Sequence, residues 1–246
     1  MNTDQFIIDD FGIVLAAGGS SNRFSAELSF SKLLISSRNI AERYAASHTG
    51  DPADFAELPI FMFSVLSFID LCLPGNFVIV AKECDIPAFE KHLATLPLKM
   101  RPFIVPGGAT RAESVLNGLR SLPNSAAFAA VHDAARPLTT KSLMLNCLIA
   151  ARKYGGAITA KRITDTLKKV DADGFVLETL DRNTTWRVET PQIFKACELC
   201  AAYENALAKG IHPTDDAGAM ELAGFRPFLL EHQNDNSKIT FATDIK

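Results

Sequence analysis

The stretch "HDAARP" (His132–Pro137) sets an imidazole, a carboxylate and a guanidinium directly behind the apolar run "AAFAAV". Such a run is common in surface loops. At the carboxyl end of a parallel strand, however, it is where open α/β sheets bind small molecules. Asp133 is the kind of carboxylate that holds Mg2+ together with phosphate oxygens, whereas His132 reads as a packed or tautomer-fixed histidine rather than a catalytic one. Two other apolar runs end in glycines, "LAAGGSSNRF" after "FGIVLAA" and "PGGATRAESVLNGL" after "PFIV". Glycines there let the backbone approach a ligand, and free N–H groups can cradle phosphate. Arg23 and Lys32 follow the first turn, and Arg111 and Ser114 sit at the helix start after the second. Neither turn matches the dinucleotide fingerprint or the Walker loop. "NDNSKITFATDI" places Lys238 on what reads as an edge strand, where a lone lysine is ordinarily solvated.

These residues need a frame that collects them at one end. Strand-like and helix-like segments alternate through the first two thirds of the chain. "FGIVLAA", "FVIVA", "PFIVPGG" and "AAFAAV" read as strands. Between them, "PIFMFSVLSFIDLCL" reads as an amphipathic helix opened by Pro59, and "DIPAFEKHLATL" as a helix with Asp85 as its cap. In "TRAESVLNGLRSL", Thr110 and Glu113 have capping-box spacing, and "TTKSLMLNCLIAARKYG" is a helix ended by Gly155. The alternation predicts a mainly parallel sheet with helices on both faces. Two segments break the rhythm. The polar segment spanning residues 36–59 reads as a surface insertion looping off the body. The other, "DTLKKVDADGFVLETLDR", reads as a β-hairpin around "DADG" within 164–183. A hairpin projecting from a parallel sheet is often an arm that reaches a neighbour.

A chain of 246 residues suits one α/β domain. A net charge of −3 gives no general reason to expect nucleic acid or acidic membranes as partners, so any anion must meet a local cluster of Lys and Arg. Five scattered cysteines suit a reducing compartment. The Cys197-x-x-Cys200 pair falls in a helical pattern without a second ligand pair, and reads as core packing. The acidic N-terminus lacks the features of a signal peptide, and the longest apolar run is too short for a membrane span. A soluble, cytoplasmic protein is the expectation.

The ordered set "AAGG…R" with a following lysine, "GGATRAESVLNGL", "HDAARP", "TDTLK", "LDRNTTW", "TPQIF", "TDDA" and "NSKIT" resembles the 2-C-methyl-D-erythritol 4-phosphate cytidylyltransferase family across nearly the whole chain. The resemblance implies a Rossmann-like nucleotidyltransferase fold, CTP and methylerythritol phosphate as substrates, Mg2+, and pyrophosphate release in non-mevalonate isoprenoid precursor synthesis. It implies that Ala17, Gly18 and Gly19 line the nucleotide and that Arg23 and Lys32 contact the triphosphate. Gly108, Ala109 and Ser114 match the part that recognises cytosine. Asp133 matches the Mg2+-linked acid, leaving open whether Asp235 joins it, with Ala134 near the ribose and Arg136 near the second substrate. Thr166 and Arg182 match arm residues that reach the neighbouring subunit's site in a homodimer, and Thr190, Thr214 and Lys238 complete the phosphate pocket there.

Three departures bear on the nucleotide loop and its surroundings. Ser21 stands where the family usually has a second glycine, "SKLL" keeps Lys32 without the usual flanking proline and glutamine, and the 36–59 segment is longer than the usual connection. A related ribitol-5-phosphate cytidylyltransferase and a catalytically silent nucleotide-binding homologue are the alternative readings.

Overall fold

The computed structural model describes residues 7–19, 31–48 and 50–245, so Ser21 and Arg23 lie outside the described residues. Four apolar runs form the parallel strands β1 (Phe11–Ala16), β2 (Phe77–Ala81), β3 (Phe103–Pro106) and β4 (Phe128–Asp133). β5 (Gly156–Arg162) is followed by a separate hairpin of β6 (Lys168–Val170) and β7 (Val176–Thr179), then by β8 (Trp186–Lys195) and β9 (Phe228–Glu231). The main sheet has the order β3-β2-β1-β4-β8-β5-β9. β8 runs antiparallel to both of its neighbours. That reversal brings the first half of β8 to the carboxyl end of β4.

β1 and β2 are apolar throughout because both faces of the sheet are covered. Phe11, Ile13, Leu15 and Ile79 face one apolar cluster, while Val14, Val78 and Val80 face the other, as the two-residue period of a strand requires. The first cluster is closed by α3 (Ile60–Phe68), α4 (Ile86–Leu93) and α6 (Lys141–Tyr154). The second is closed by α5 (Arg111–Arg120), α7 (Ala196–Ala208) and α8 (Asp216–Leu222). Gly118 lets α5 sit close on the sheet, since a Cβ there would lie 2.5 Å from a Val14 methyl.

The 36–59 segment does not loop off the body. It forms α1 (Arg38–Ser47) and α2 (Pro52–Phe55), and α1 buries Ile40, Ala41 and Tyr44 in the first cluster. The Tyr44 ring lies 4.9 Å from that of Phe63, and the Ser67 hydroxyl donates to Tyr44 Oη at 3.1 Å. This cover explains why α3 is buried on nearly all sides, with only Leu66 half-buried, rather than amphipathic. Polar composition concealed a packed helix because three inward residues per two turns suffice to anchor it.

Three local readings are also corrected. Asp85 is buried but its side chain caps nothing at the start of α4. Cys197 is exposed and Cys200 half-buried, because α7 turns Leu199, Ala202, Tyr203 and Ala206 inward. Lys238 lies on no strand: the chain after β9 crosses the end of β4, with Ile239 N–H donating to the Ala135 carbonyl at 2.8 Å. The other expected punctuation is present. Thr110 and Glu113 form a reciprocal capping box, and Gly155 ends α6 at φ +86°. The Asp171 carboxylate accepts from the N–H groups of Asp173 and Phe175, which closes the hairpin turn.

Candidate active site

The carboxyl ends of β1, β3 and β4 open into a cleft of about 600 Å³. Gly18 and Gly19 form one wall, Gly108, Ala109 and Ser114 another, and Lys32, Asp133 and Lys238 reach in from the far side. Ala17 and Ala134 lie behind the wall rather than in it. Both are fully buried, with their N–H groups donating to the carbonyls of Val80 and Ala16. Ser114 is engaged in shaping the second glycine turn: its hydroxyl accepts from Gly108 N–H at 3.0 Å and donates to the Thr110 carbonyl at 2.8 Å. A Cβ on Gly108 would lie 2.3 Å from that of Glu113, so this glycine is required by the capping box behind it. Lys32 Nζ donates to the Ile239 carbonyl at 2.8 Å, which ties Lys32 to the segment bearing Lys238.

A second cavity of about 270 Å³ adjoins the first, lined by Arg136, Thr190, Thr214 and Glu189 among others. Arg111, Asp133 and Lys238 line both spaces and form their common wall. Lys238 Nζ lies 2.6 Å from Asp133 Oδ2, Arg111 is 3.6 Å from Oδ1, and Arg136 Nε is 4.0 Å from Oδ2. Burial alone would raise the Asp133 pKa, but these three cations outweigh it and hold the carboxyl far below the usual carboxylate range. Arg111 is itself locked by a bidentate pair with buried Asp216 at 3.0 and 3.2 Å, and Tyr203 donates to the same carboxylate at 2.6 Å.

The "HDAARP" turn is held by a relay centred on His132. Asp133 N–H donates to the Thr190 hydroxyl at 3.0 Å, and that hydroxyl donates to His132 Nδ1 at 3.1 Å. His132 Nε2–H in turn donates to the Arg136 carbonyl at 3.2 Å. This arrangement requires the neutral imidazole, and burial lowers its pKa to about 4. An unfolded histidine titrates near 6.5, so between those values the unfolded chain binds more protons than the folded one. The stability this supplies is present above about pH 6.5 and lost as pH falls towards about 4, amounting to about 3 kcal/mol. His132→Asn is expected to lower Tm near neutrality and to flatten the fall of Tm over that window in thermal unfolding. An unchanged slope would remove His132 as its source.

Thr166 and Arg182 are exposed on or beside the hairpin and line neither space of their own chain. Asp235 is likewise outside both: it pairs with Arg43 at 2.8 Å and accepts from Ser237. Among the described residues no cluster of three or more His, Cys, Asp or Glu is arranged to hold a metal. Mg2+ needs only one or two carboxylates when phosphate oxygens fill the remaining positions. The donor set here, a single ionised carboxylate on the wall of both spaces, fits an ion of that kind.

Sequence reasoning passed over Lys82, which lines the first cleft, and Glu189, which lines the second cavity. It noted Arg111 without giving it a role. Arg111 sits in the "ATRAES" landmark and was open to assignment. Glu189 in "VETPQIF" carries no such mark, because a single glutamate in a strand reads as an exposed one.

A sequence profile described as 2-C-methyl-D-erythritol 4-phosphate cytidylyltransferase matches residues 32–246, so the first glycine turn lies outside the matched span. The cytidylyltransferase of that name from Thermosynechococcus vestitus is 32% identical over 213 residues, covering 87% of this chain and 91% of the relative. Its counterpart from Haemophilus influenzae is 40% identical over 168 residues, covering 68% and 72%. Among solved structures, 4-diphosphocytidyl-2C-methyl-D-erythritol synthase from Anaerococcus prevotii superposes with a TM-score of 0.73 at 24% identity, covering 96% of this chain and 93% of that one. The Thermus thermophilus cytidylyltransferase gives 0.71 at 21% identity, covering 97% and 96%. At those identities the superpositions speak for the fold, and the sequence matches for kinship. Two glycine turns and a shared cationic wall on this sheet therefore have the lineage that the order of motifs suggested: the chain belongs to the 2-C-methyl-D-erythritol 4-phosphate cytidylyltransferase family.

Proposed function

We propose that this protein transfers the cytidylyl group of CTP to 2-C-methyl-D-erythritol 4-phosphate with release of pyrophosphate, a step of non-mevalonate isoprenoid precursor synthesis. The observation that carries the reading is the wall of Arg111, Asp133 and Lys238 common to two adjoining spaces. It would let two anionic substrates meet at one point. An oxygen of the methylerythritol phosphate attacks the α-phosphorus of CTP in line, the P–O bond to the β-phosphate breaks, and pyrophosphate leaves. A phosphate monoester is already largely ionised near neutrality, so no general base is needed, in keeping with a neutral, fully engaged His132. The residues' work is positioning and charge stabilisation.

In this reading Gly18, Gly19, Gly108 and Ala109 seat the nucleotide, with Ala17, Ala134 and Ser114 supporting the walls, while Lys32 and Arg23 face the triphosphate. Asp133 would hold Mg2+ through substrate phosphates, and the ion would offset triphosphate charge. Arg136, Thr190, Thr214 and Lys238 receive the second substrate. Thr166 and Arg182 reach that pocket from a second copy, making a homodimer with shared sites. Support for the arm comes from Phe175, Val176 and Leu177, which are 59–72% exposed in the single chain, an apolar patch of the kind that seeks a partner. A cytoplasmic location is part of the reading, supported by five free cysteines. Among the described residues, no helix is long and apolar enough to cross a membrane.

Incubating the protein with α-phosphate-labelled CTP and either methylerythritol phosphate or ribitol 5-phosphate tests the assignment. Label transfer to the first polyol phosphate is expected, and preference for the second would overturn the substrate.

A further inference from the structure

Among the described residues, Glu189 is the one carboxylate besides Asp133 and Asp215 that lines the second cavity, and it is 2% exposed. A buried carboxylate is an unexpected wall for a space that receives an anion, unless cations or donors surround it. Here they do. Glu189 Oε2 accepts from the Asn236 amide at 2.9 Å and lies 3.3 Å from His232 Nε2 and 3.7 Å from an Arg136 terminal nitrogen; Oε1 lies 3.1 Å from Arg187. Burial would raise its pKa, but His232 and Arg136 outweigh that and the carboxyl stays below its ordinary value. The same Arg136 nitrogen donates to the Asn236 carbonyl at 2.7 Å, and Thr139 holds the Asn236 side-chain oxygen. Arg136 is thus suspended between two buried carboxylates, Asp133 and Glu189, with Asn236 bridging it to the second.

We propose that Glu189 is a positioning and specificity residue, which holds Arg136 on the wall of the second cavity and makes that part of the wall a reader of substrate hydroxyls rather than a phosphate site. Two flanking carboxylates offset the guanidinium charge, so a phosphate gains little there. A neutral hydroxyl can still accept from Arg136 and donate to Glu189. The substrate phosphate is left to Lys238, whose side chain is 37% exposed where that of Arg136 is 11% exposed. The proposal rests on the reading that this cavity receives a polyol phosphate.

The test is Glu189→Gln, which keeps an acceptor for Asn236 and removes the charge. KM for methylerythritol phosphate is expected to rise about tenfold, with kcat and the KM for CTP within about twofold. Inorganic phosphate should become a stronger competitor of the polyol phosphate, an effect that loosened packing alone would not give. Glu189→Asp, which restores the charge, should return phosphate competition to the wild-type level. An unchanged KM for the polyol phosphate in Glu189→Gln overturns the proposal. So does a parallel loss for both substrates that Glu189→Asp shares, which would mark the residue as structural only. A wild-type protein that transfers nothing to methylerythritol phosphate fails the functional reading itself, a result separate from a normal wild type with an indifferent variant.

Discussion

The Lys238→Ala variant is expected to lose turnover by a factor on the order of 10² to 10³ while folding normally, since a fixed cation at the point of charge development typically contributes that much. Lys238 is the ammonium on the wall common to both spaces, 2.6 Å from Asp133 Oδ2 and 37% exposed at its side chain. From there it can follow negative charge from either substrate. Its removal leaves Asp133 still flanked by Arg111 and Arg136, so the buried carboxylate is not stranded and the thermal midpoint should move by only a few degrees. Steady-state kinetics with both substrates varied gives the result directly. Turnover within about tenfold of wild type would remove Lys238 from the reacting centre.

The second large effect concerns the hairpin. Neither Thr166 nor Arg182 lines the cavities of its own chain, so Arg182→Ala alone should be nearly inactive only if another copy supplies that side chain. Mixing Arg182→Ala with Lys238→Ala subunits separates the cases. In a mixed two-fold dimer one site carries both substitutions and the other carries neither. Random exchange makes about half the dimers mixed, so about one quarter of wild-type activity should return. Verified mixed dimers with no recovered activity would contradict sharing of the arm.

How far the sequence carried the account depends on the kind of contact involved. Strands β1, β2 and β4, the capping box at Thr110 and Glu113, and the hairpin turn rest on local patterns, and local patterns can be read from one chain. The second glycine turn was legible for the same reason. Lys238 was misplaced because its partner, Asp133, lies 105 positions away and only the crossing of the tail over β4 joins them. Tyr44 and Ile40 were hidden inside a polar segment, since their burial depends on the face that α3 presents rather than on their neighbours in sequence. Glu189 was silent for a related reason. Whether a strand glutamate is solvated or clamped is decided by what the antiparallel reversal of β8 sets beside it, namely Arg136, His232 and Asn236. The Thr190 hydroxyl, matched to a phosphate pocket by its motif, turns out to be engaged with His132 and Asp133 N–H. Motif order conveyed the neighbourhood but not which lone pair is already in use.

In the proposed reaction, the wall of Arg111, Asp133 and Lys238 brings a cytidine nucleotide and a methylerythritol phosphate together. Label transfer from α-phosphate-labelled CTP measures this most directly. Label is expected in a diphosphate-linked product only when methylerythritol phosphate is present, with one pyrophosphate released for each product formed. Label transferred equally well to ribitol 5-phosphate, or retained wholly in CTP by a folded protein that still binds it, would overturn this assignment of the two spaces.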